Sequence, residues 1–396
     1  MSYLVFFFII IFFLIIIEIF LNKVTKIGKK KFQWLIDSKD FEPNFDKKKL
    51  NFFIKNSFDK ELGWIRKPNT FGEEKSFKGK SYFSIDKSGC RTNPNNNKKF
   101  KEKIATFGDS FTFCRQVNND ETWQSYLSKS KKINVLNYGV GNYGADQALI
   151  YSKRIIKKKK FKFTILGIVP ETILRVHSSW KHYYEYGNIF GFKPRFKIKK
   201  NKLTLIKNII NSQSRLKNYK IYLNEIQKND YFFDYIFTKE ILNKPLIFSY
   251  LKSFRNLLLL FHLFFKSNYK TYQKFVIQKN HLITKKFYKK KDAVNLLFMI
   301  FKEFLNFSKK NDSNPYILIL PQINDIEYFI KHKKTYYENL LKMFNNSKYV
   351  IDLTPKIASK NDYRKYYIND KYGGHLSPQG NLLVSKEIEK KICFKN

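Results

Sequence analysis

Five short apolar runs, each followed by a segment of helical pattern, most constrain what this chain can fold into. They lie at 103–107, 133–139, 161–169, 315–320 and 349–353 and are rich in Ile, Val, Leu and Phe. Strands covered by helices on both faces have this composition, because neither face needs polar side chains. The pattern predicts an α/β protein in which a five-stranded parallel sheet lies between two helical layers.

Helices are predicted between or after these runs at 122–128, 145–158, 292–309, 325–344 and 378–393. Several have a polar residue placed to accept the free N–H groups of a first turn. The predicted caps are Asp120, Asp292, Asp325 and Ser377.

The remaining segments predict the domain organisation. We expect an anchor at 1–22, a hairpin-rich lead-in at 23–100, an α/β domain divided between 101–180 and 291–396, and a helical insertion at 181–290 rich in Lys and aromatic residues. The apolar run at 257–265 in the insertion is too short to span a bilayer. Two interpretations of this run stay open: a helix packed in the protein and a surface that faces the membrane.

The first residues predict a membrane anchor. Only Glu18 interrupts the apolar run from Tyr3 to Leu21, which is about the length that spans a hydrocarbon core. No basic segment precedes this run and no small-residue cleavage site follows it, which favours an anchor over a signal peptide. Lysines after the run favour keeping that side cytoplasmic, but lysine is abundant throughout, so the side stays open.

The high net charge and the three cysteines do not by themselves identify a class of function. The formal net charge is +44, yet only nine of the 76 basic residues are Arg and they are dispersed, so we expect no dedicated nucleic-acid site. Cys90, Cys114 and Cys393 have neither disulfide nor zinc spacing. No metal ligand cluster or phosphate-binding loop is evident, and no cofactor is predicted.

A serine and a histidine are predicted to meet at one edge of the sheet. Ser110 in FGDSF ends the first strand, and His375 in GGHLSPQGN precedes the last helix. Ligands of such folds lie outside the carboxyl ends of the strands. A serine hydroxyl becomes a useful nucleophile when histidine takes its proton. The glycine-rich loop NYGVGNYGADQ can offer N–H groups to a developing oxyanion. As oxyanion donors we select the Gly141 N–H and Asn142 of this loop together with the Ser110 N–H.

The order of these blocks resembles the SGNH/GDSL hydrolase superfamily. FGDSF resembles the nucleophile block, NYGVGNYGADQ the second block and GGHLSPQGN the histidine block, over 101–180 and 290–394. The lead-in motifs ELGWIRKPN and GCRTNP are similar to segments that precede the catalytic domain in anchored members. The resemblance implies a flavodoxin-like α/β/α fold, hydrolysis or transfer of an acyl ester, often acetyl on a carbohydrate, and an extracytoplasmic location.

Two positions depart from that pattern. Pro170 and Glu171 stand where the third block has Asn-Asp, so the side-chain oxyanion donor must come from elsewhere, such as Asn142 or Arg175. The acid expected three residues before the histidine is replaced by Tyr372. Asp370, five residues before, is selected as the orienting acid, with Glu171 as the alternative.

These observations predict a membrane-anchored SGNH-type esterase or acyltransferase that acts on ester-linked acyl groups of a glycan or lipid-linked sugar. One alternative is a catalytically silent binding protein of a surface-polysaccharide assembly. A second is a dinucleotide-binding protein, because residues 139–144 match G-x-G-x-x-G and Glu171 ends the next strand. Hydrolysis versus transfer and the oligomeric state stay open.

Overall fold

The computed structural model describes residues 2–31, 35–76, 79–264, 269–345, 348–368, 374–392 and 394. Helix α1 (Ser2–Lys31) opens the chain. Its apolar side chains between Tyr3 and Phe20 are mostly exposed. In the part of the chain that the structure describes, Tyr3–Lys30 is the one helix long and apolar enough to cross a membrane. Its length and composition fit the predicted anchor.

The lead-in contains two antiparallel strand pairs and, in addition to what was predicted for it, a helix. It comprises α2 (Lys47–Asn56), the antiparallel pair β1 (Phe58–Asp59) and β2 (Gly63–Trp64), and the hairpin of β3 (Thr70–Ser76) and β4 (Gly79–Ile85).

The first half of the α/β domain alternates strands and helices. Its elements are β5 (Lys103–Gly108), α3 (Ser110–Phe113), α4 (Trp123–Lys131), β6 (Asn134–Gly139), α5 (Ala145–Ile156), β7 (Phe163–Ile168) and α6 (Thr172–Arg175).

The insertion is mostly helical but also contains a hairpin that the prediction of a helical insertion missed. Its elements are β8 (Arg195–Lys199), β9 (Lys202–Ile206), α7 (Gln213–Lys217), α8 (Leu223–Lys228), α9 (Thr238–Glu240), α10 (Leu246–Lys252), α11 (Phe254–Phe264) and α12 (Tyr269–Tyr288). Lys200 and Asn201 turn this hairpin with positive φ angles of 46° and 58°.

The second half completes the domain. Its elements are α13 (Lys291–Lys309), β10 (Asn314–Ile319), α14 (Ile323–His332), α15 (Glu338–Lys342), β11 (Val350–Asp352), α16 (Thr354–Ala358) and α17 (Pro378–Lys391).

The five predicted strands form one parallel sheet in the order β11-β10-β7-β5-β6. Counted along the chain, this is the flavodoxin-like order 2-1-3-4-5. Apolar side chains pack on both faces: Phe107 joins a core that includes Leu149 of α5 and Leu297 of α13, whereas Ile104 joins a core that includes Leu127 of α4 and Val384 of α17. The predicted three-layer α/β/α fold is confirmed.

Several predicted details of the helices are wrong. Thr122, not Asp120, caps α4 by accepting from Ser125 N–H. Asp292 lies inside α13 and does not cap it. Asp325 lies in the first turn of α14, where it accepts from the N–H of Gln322 at 2.7 Å. The cap at Ser377 is confirmed, since its hydroxyl accepts from the N–H of Gly380 at 3.2 Å.

The single helix predicted at 325–344 is divided into α14 and α15. Lys333 ends α14 in the left-handed region, with φ of 55°, and its N–H donates to the Phe329 carbonyl. No Gly or Pro lies between residues 325 and 344, so the sequence has no helix-breaking residue at the division.

Candidate active site

Strand β5 ends in a turn that presents Ser110 at the carboxyl edge of the sheet. Gly108 permits this turn, because a Cβ there would lie 1.9 Å from the Gly167 carbonyl oxygen of the neighbouring strand. Asp109 then caps α3 by accepting from the Phe111 N–H at 2.9 Å. Its second carboxylate oxygen accepts from the Val169 N–H at 3.0 Å, which ties the turn to the end of β7. The serine is thereby fixed by two adjacent strands.

The structure brings Ser110 and His375 into hydrogen-bonding contact. His375 Nε2 lies 2.9 Å from Ser110 Oγ, and His375 Nδ1 lies 3.0 Å from Gln116 Oε1. The amide nitrogen of Gln116 donates to the Lys75 carbonyl at 3.4 Å, which leaves Oε1 facing the imidazole. Because an amide oxygen only accepts, Nδ1 carries the proton and Nε2 offers its lone pair to the serine hydroxyl.

The electrostatic surroundings keep His375 neutral. Burial lowers its pKa to about 3, and the positive charges of Arg115 and Arg175 act in the same direction. The imidazole is only 7% exposed. At neutral pH it is therefore in the form that can accept a proton.

Arg91 of the lead-in holds the loop that carries Gln116. Its buried guanidinium donates to the carbonyls of Phe113, Cys114 and Val117 at 2.7, 2.6 and 2.5 Å. Cys114 and Gln116 both have positive φ, at 61° and 69°. Such conformations cost free energy and persist when surrounding contacts determine them. Arg91 supplies those contacts, which gives the GCRTNP motif a structural role.

The β3–β4 hairpin supports the same loop from the other side. Glu74 accepts from Nε and Nη2 of Arg115 at 2.9 and 2.5 Å, next to the Lys75 carbonyl that binds Gln116. Arg66 lies 3.7 Å from the other Glu74 oxygen. The lead-in therefore contributes directly to the neighbourhood of the serine and histidine.

The ELGWIRKPN motif of the lead-in, which contains Trp64, holds the loop with the predicted oxyanion donors. Trp64 Nε1 donates to the Gly141 carbonyl at 3.0 Å, and the Tyr143 hydroxyl donates to the Trp64 carbonyl at 2.5 Å. Asn142 has φ of 69° and lines the same cavity as Ser110. A Cβ on Gly141 would contact nothing within 4 Å, so packing does not require glycine there.

Arg175 occupies the part of the site next to the atypical third block. Its Nη1 donates to the Tyr143 carbonyl at 3.1 Å and lies 3.5 Å from Asp109 Oδ2, while Nη2 lies 3.6 Å from Glu171. Its Nε has no hydrogen-bond partner among the described residues, although the side chain is buried. Burial raises the pKa of Asp109, and Arg175 opposes that shift. Glu171, the alternative orienting acid of the prediction, pairs with Arg175 in this structure.

A cavity of about 440 Å³ opens in front of Ser110 and His375. The insertion supplies its far wall, where Glu240 accepts from Tyr186 and pairs with Arg255 and Lys279. Other polar residues around the cavity are Arg115, Asn142, Glu171, Tyr184, Glu185, Asn188, Asn280, His281, Gln322, Asn324 and Tyr336. The buried Tyr184 hydroxyl has no hydrogen-bond partner in the described part of the chain.

Sequence reasoning missed Gln116, Arg91 and the wall formed by the insertion. Arg91 lies in the GCRTNP motif, which marked the segment but not its contacts. Gln116 and the wall carry no local pattern, because they act through contacts between segments that are distant in the chain. Asp370, the predicted orienting acid, lies outside the described residues, and its role stays a prediction. In the described part of the chain, Gln116 is the partner of His375 Nδ1.

The glycine-rich loop does not offer a diphosphate the usual donors. The N–H of Ala145 donates to the Thr172 hydroxyl at 2.9 Å, and that of Gln147 to the Asp146 carboxylate at 2.8 Å. Asp146 is buried at the helix start and pairs with Lys193 at 2.5 Å. A buried carboxylate where a pyrophosphate would bind disfavours the dinucleotide alternative. Among the described residues, no group of three or more His, Cys, Asp or Glu is placed to hold a metal ion.

Comparisons with known proteins add little to this geometry. No protein-family model and no curated protein matches the chain. Among solved structures, the chain is similar to a protein from Desulfitobacterium hafniense DCB-2 assigned to the lipolytic G-D-S-L family. The identity is 12%, the TM-score is 0.34, and the match covers 74% of this chain and 100% of the other.

Proposed function

We propose that this protein is a serine esterase or acyltransferase of the SGNH type, held at a membrane by α1. One observation carries the proposal: Ser110 Oγ and His375 Nε2 are 2.9 Å apart in a cavity, and the imidazole is neutral. A nucleophile with a base within hydrogen-bond reach, oriented by a third group, is the arrangement that covalent acyl transfer requires.

In the proposed mechanism, Ser110 Oγ attacks the ester carbonyl carbon while His375 Nε2 takes the hydroxyl proton. The tetrahedral intermediate collapses as the imidazolium returns that proton to the leaving alcohol, which leaves an acyl-serine. Water or a second alcohol then attacks the acyl-serine with His375 again as base, and Ser110 recovers its proton. Gln116 keeps the imidazole in the tautomer that each step needs.

The developing oxyanion requires donors near Ser110. We assign this role to the predicted set: the Ser110 N–H, at the start of α3, the Asn142 side chain, which lines the same cavity, and the Gly141 N–H in the loop before it. Pro170 has no N–H, so we assign the remaining donor role to Arg175, whose Nε has no hydrogen-bond partner among the residues that the structure describes. A donor aimed at a developing oxyanion is worth about 10²- to 10³-fold in rate.

The cavity wall supports a neutral, polar substrate. Its cations are matched by acids, as in the pairs Arg115–Glu74, Arg175–Glu171 and Arg255–Glu240. The rest of the wall is rich in Asn and Tyr, whose amides and rings suit sugar hydroxyls and sugar faces. We propose an acylated glycan or lipid-linked sugar as the substrate.

One observation favours the silent binding protein as a second candidate. The partner of His375 in the described part of the chain is an amide, and an amide stabilises an imidazolium less than a carboxylate does. A protein that binds acylated glycans without turnover would retain the cavity and need no strong base.

Reaction with a fluorophosphonate probe separates the two. The full chain in detergent is treated with the probe, and intact mass and peptide mapping are compared with those of Ser110→Ala and His375→Ala. We expect one adduct on Ser110 that is absent from Ser110→Ala and slowed at least 100-fold in His375→Ala. A folded wild-type protein that forms no adduct would contradict the esterase proposal and favour the binding protein.

A further inference from the structure

Helices α10 and α11 of the insertion are joined to the end of the apolar helix α1. Leu21 of α1 is buried in a small core that includes Leu246 and Tyr250 of α10, and Leu260 of α11 packs against this core. The junction is therefore part of the packed structure.

Polar contacts fix the position of α10 along α1. The Glu18 carboxylate accepts from the N–H groups of Leu246 and Ile247 at 2.8 and 3.2 Å. Further along α1, Thr25 Oγ1 lies 2.7 Å from the Tyr250 hydroxyl. The one acidic residue in the apolar run thus serves the start of α10, where N–H groups otherwise lack partners. This explains a charge that a membrane-spanning segment would not otherwise favour.

The outer face of α10 and α11 is apolar and exposed. Its side chains are Phe248, Leu251, Phe254, Leu257 and Phe261, with exposed fractions from 37% to 71%. This face adjoins the equally exposed apolar surface of α1. Contiguous apolar surface of this kind marks an interaction site.

The contact with Glu18 sets the depth of this face. Glu18 lies five residues before Lys23, the first lysine after the apolar run, which corresponds to about 7 Å along the helix axis. Amphipathic helices that lie on membranes bury their apolar face about 5–10 Å into the boundary between headgroups and acyl chains. The start of α10 is therefore at interfacial depth when the apolar run of α1 spans the bilayer. Exposed lysines at 23, 26, 244 and 252 surround this level.

We propose that the apolar face of α10 and α11 docks on the bilayer beside α1, with its lysines at anionic headgroups. The inference rests on α1 as a membrane anchor but not on the catalytic proposal. It has a consequence for the cavity, because Arg255 lies on α11 and pairs with Glu240 in the cavity wall. A helix that contacts lipid on one side thus forms the reaction cavity on the other, which places the cavity where a lipid-linked acceptor is at hand.

Spin-label accessibility tests the docking on the full chain in nanodiscs of phosphatidylcholine and phosphatidylglycerol. Nitroxides are attached at Leu251→Cys and Phe254→Cys in a Cys393→Ser background, since Cys90 and Cys114 are buried. Ile10→Cys in α1 is the bilayer reference, and Lys129→Cys, at an exposed position near the end of α4, is the aqueous reference. We expect both test labels to have an oxygen-to-nickel-chelate accessibility ratio at least threefold above that of the Lys129→Cys label, increasing with the phosphatidylglycerol fraction.

Each other outcome overturns the proposal in a distinguishable way. Test labels that match the aqueous reference, with Ile10→Cys in the bilayer, would mean that the chain is anchored but the helices do not dock. Shielding from both reagents together with spin–spin broadening would mean that a second copy covers the face. An aqueous value at Ile10→Cys would remove the anchor itself. None of these readouts depends on esterase activity.

Discussion

Replacing Gln116 tests how the imidazole is oriented. Gln116→Met removes the amide acceptor, and keeps an unbranched side chain of similar volume at the same positive φ, so backbone strain is nearly unchanged. A neutral hydrogen bond contributes about 0.5–1.5 kcal/mol net. Losing about 1 kcal/mol of orientation and tautomer preference corresponds to about fivefold in rate. We therefore expect Gln116→Met to react about fivefold more slowly with the fluorophosphonate.

Gln116→Glu should act in the opposite direction. A carboxylate at the same position makes a charge-assisted bond to the imidazolium that forms as Ser110 is deprotonated, and such bonds contribute about 1.5–3 kcal/mol. The difference of about 1 kcal/mol or more predicts a rate at least fivefold above wild type. The added charge also raises the pKa of His375, so the loss of reactivity on acidification should begin at a higher pH than in the wild type, where that pKa is about 3.

The assay is the second-order rate of adduct formation on Ser110, followed by intact mass between pH 4 and pH 9. Gln213→Met on the exposed surface of α7 controls for the exchange of Gln by Met. Thermal unfolding confirms that each variant is folded. A folded Gln116→Met protein with the wild-type rate would refute the orienting role of Gln116, and it would return attention to Asp370.

Three further predictions concern stability. Arg91→Lys should lower the free energy of unfolding by about 2–4 kcal/mol in urea denaturation, because it leaves buried carbonyls unpaired. An unchanged urea midpoint would show that these hydrogen bonds do not stabilise the loop. Lys193→Met should cost about 3–5 kcal/mol because it leaves Asp146 buried and unpaired, and adding Asp146→Leu should restore much of the loss; equal single and double variants would contradict this. Between pH 6.5 and about 3, His375 and His177, both with pKa lowered to about 3 by burial, bind protons only after unfolding and should lower stability, whereas Asp325, whose pKa burial raises to about 7, acts in the opposite direction; a urea midpoint that falls as steeply with acid in His177→Gln as in the wild type would count against the contribution of His177.

The sheet could be predicted because its strands are defined by their own composition. The runs of β5, β6, β7 and β10 are largely buried on both faces, whereas the edge strand β11 is half-buried on one face. The predicted bounds of all five runs agree with the observed strands to within two residues. The contact between Ser110 and His375 could be predicted from the sheet, because parallel strands bring their carboxyl ends to one edge.

The partner of His375 could not be predicted in this way. Gln116 reaches the imidazole from a loop with positive φ angles that Arg91 holds by its carbonyls, and neither conformation nor contact is a property of the local sequence. Proximity to His375 along the chain therefore favours Asp370 as the predicted acid. The cavity wall was missed for the same reason, since Glu240 and Arg255 meet only through the folding of the insertion.

An amide as the partner of histidine changes which catalytic step is difficult. Imidazole with a pKa of about 3 is a weak base toward the serine hydroxyl, but the imidazolium formed from it is a strong acid toward a leaving alcohol. Alkoxides leave poorly without a proton, so under the proposed function the site is better suited to expelling an alcohol than to the first attack on the carbonyl. The attack should then limit the rate, so phenyl and alkyl esters of one acyl group should differ only modestly, by the greater electrophilicity of the phenyl ester. A strong preference for the better leaving group would instead place leaving-group departure in the limiting step, where a neutral partner of His375 offers no disadvantage.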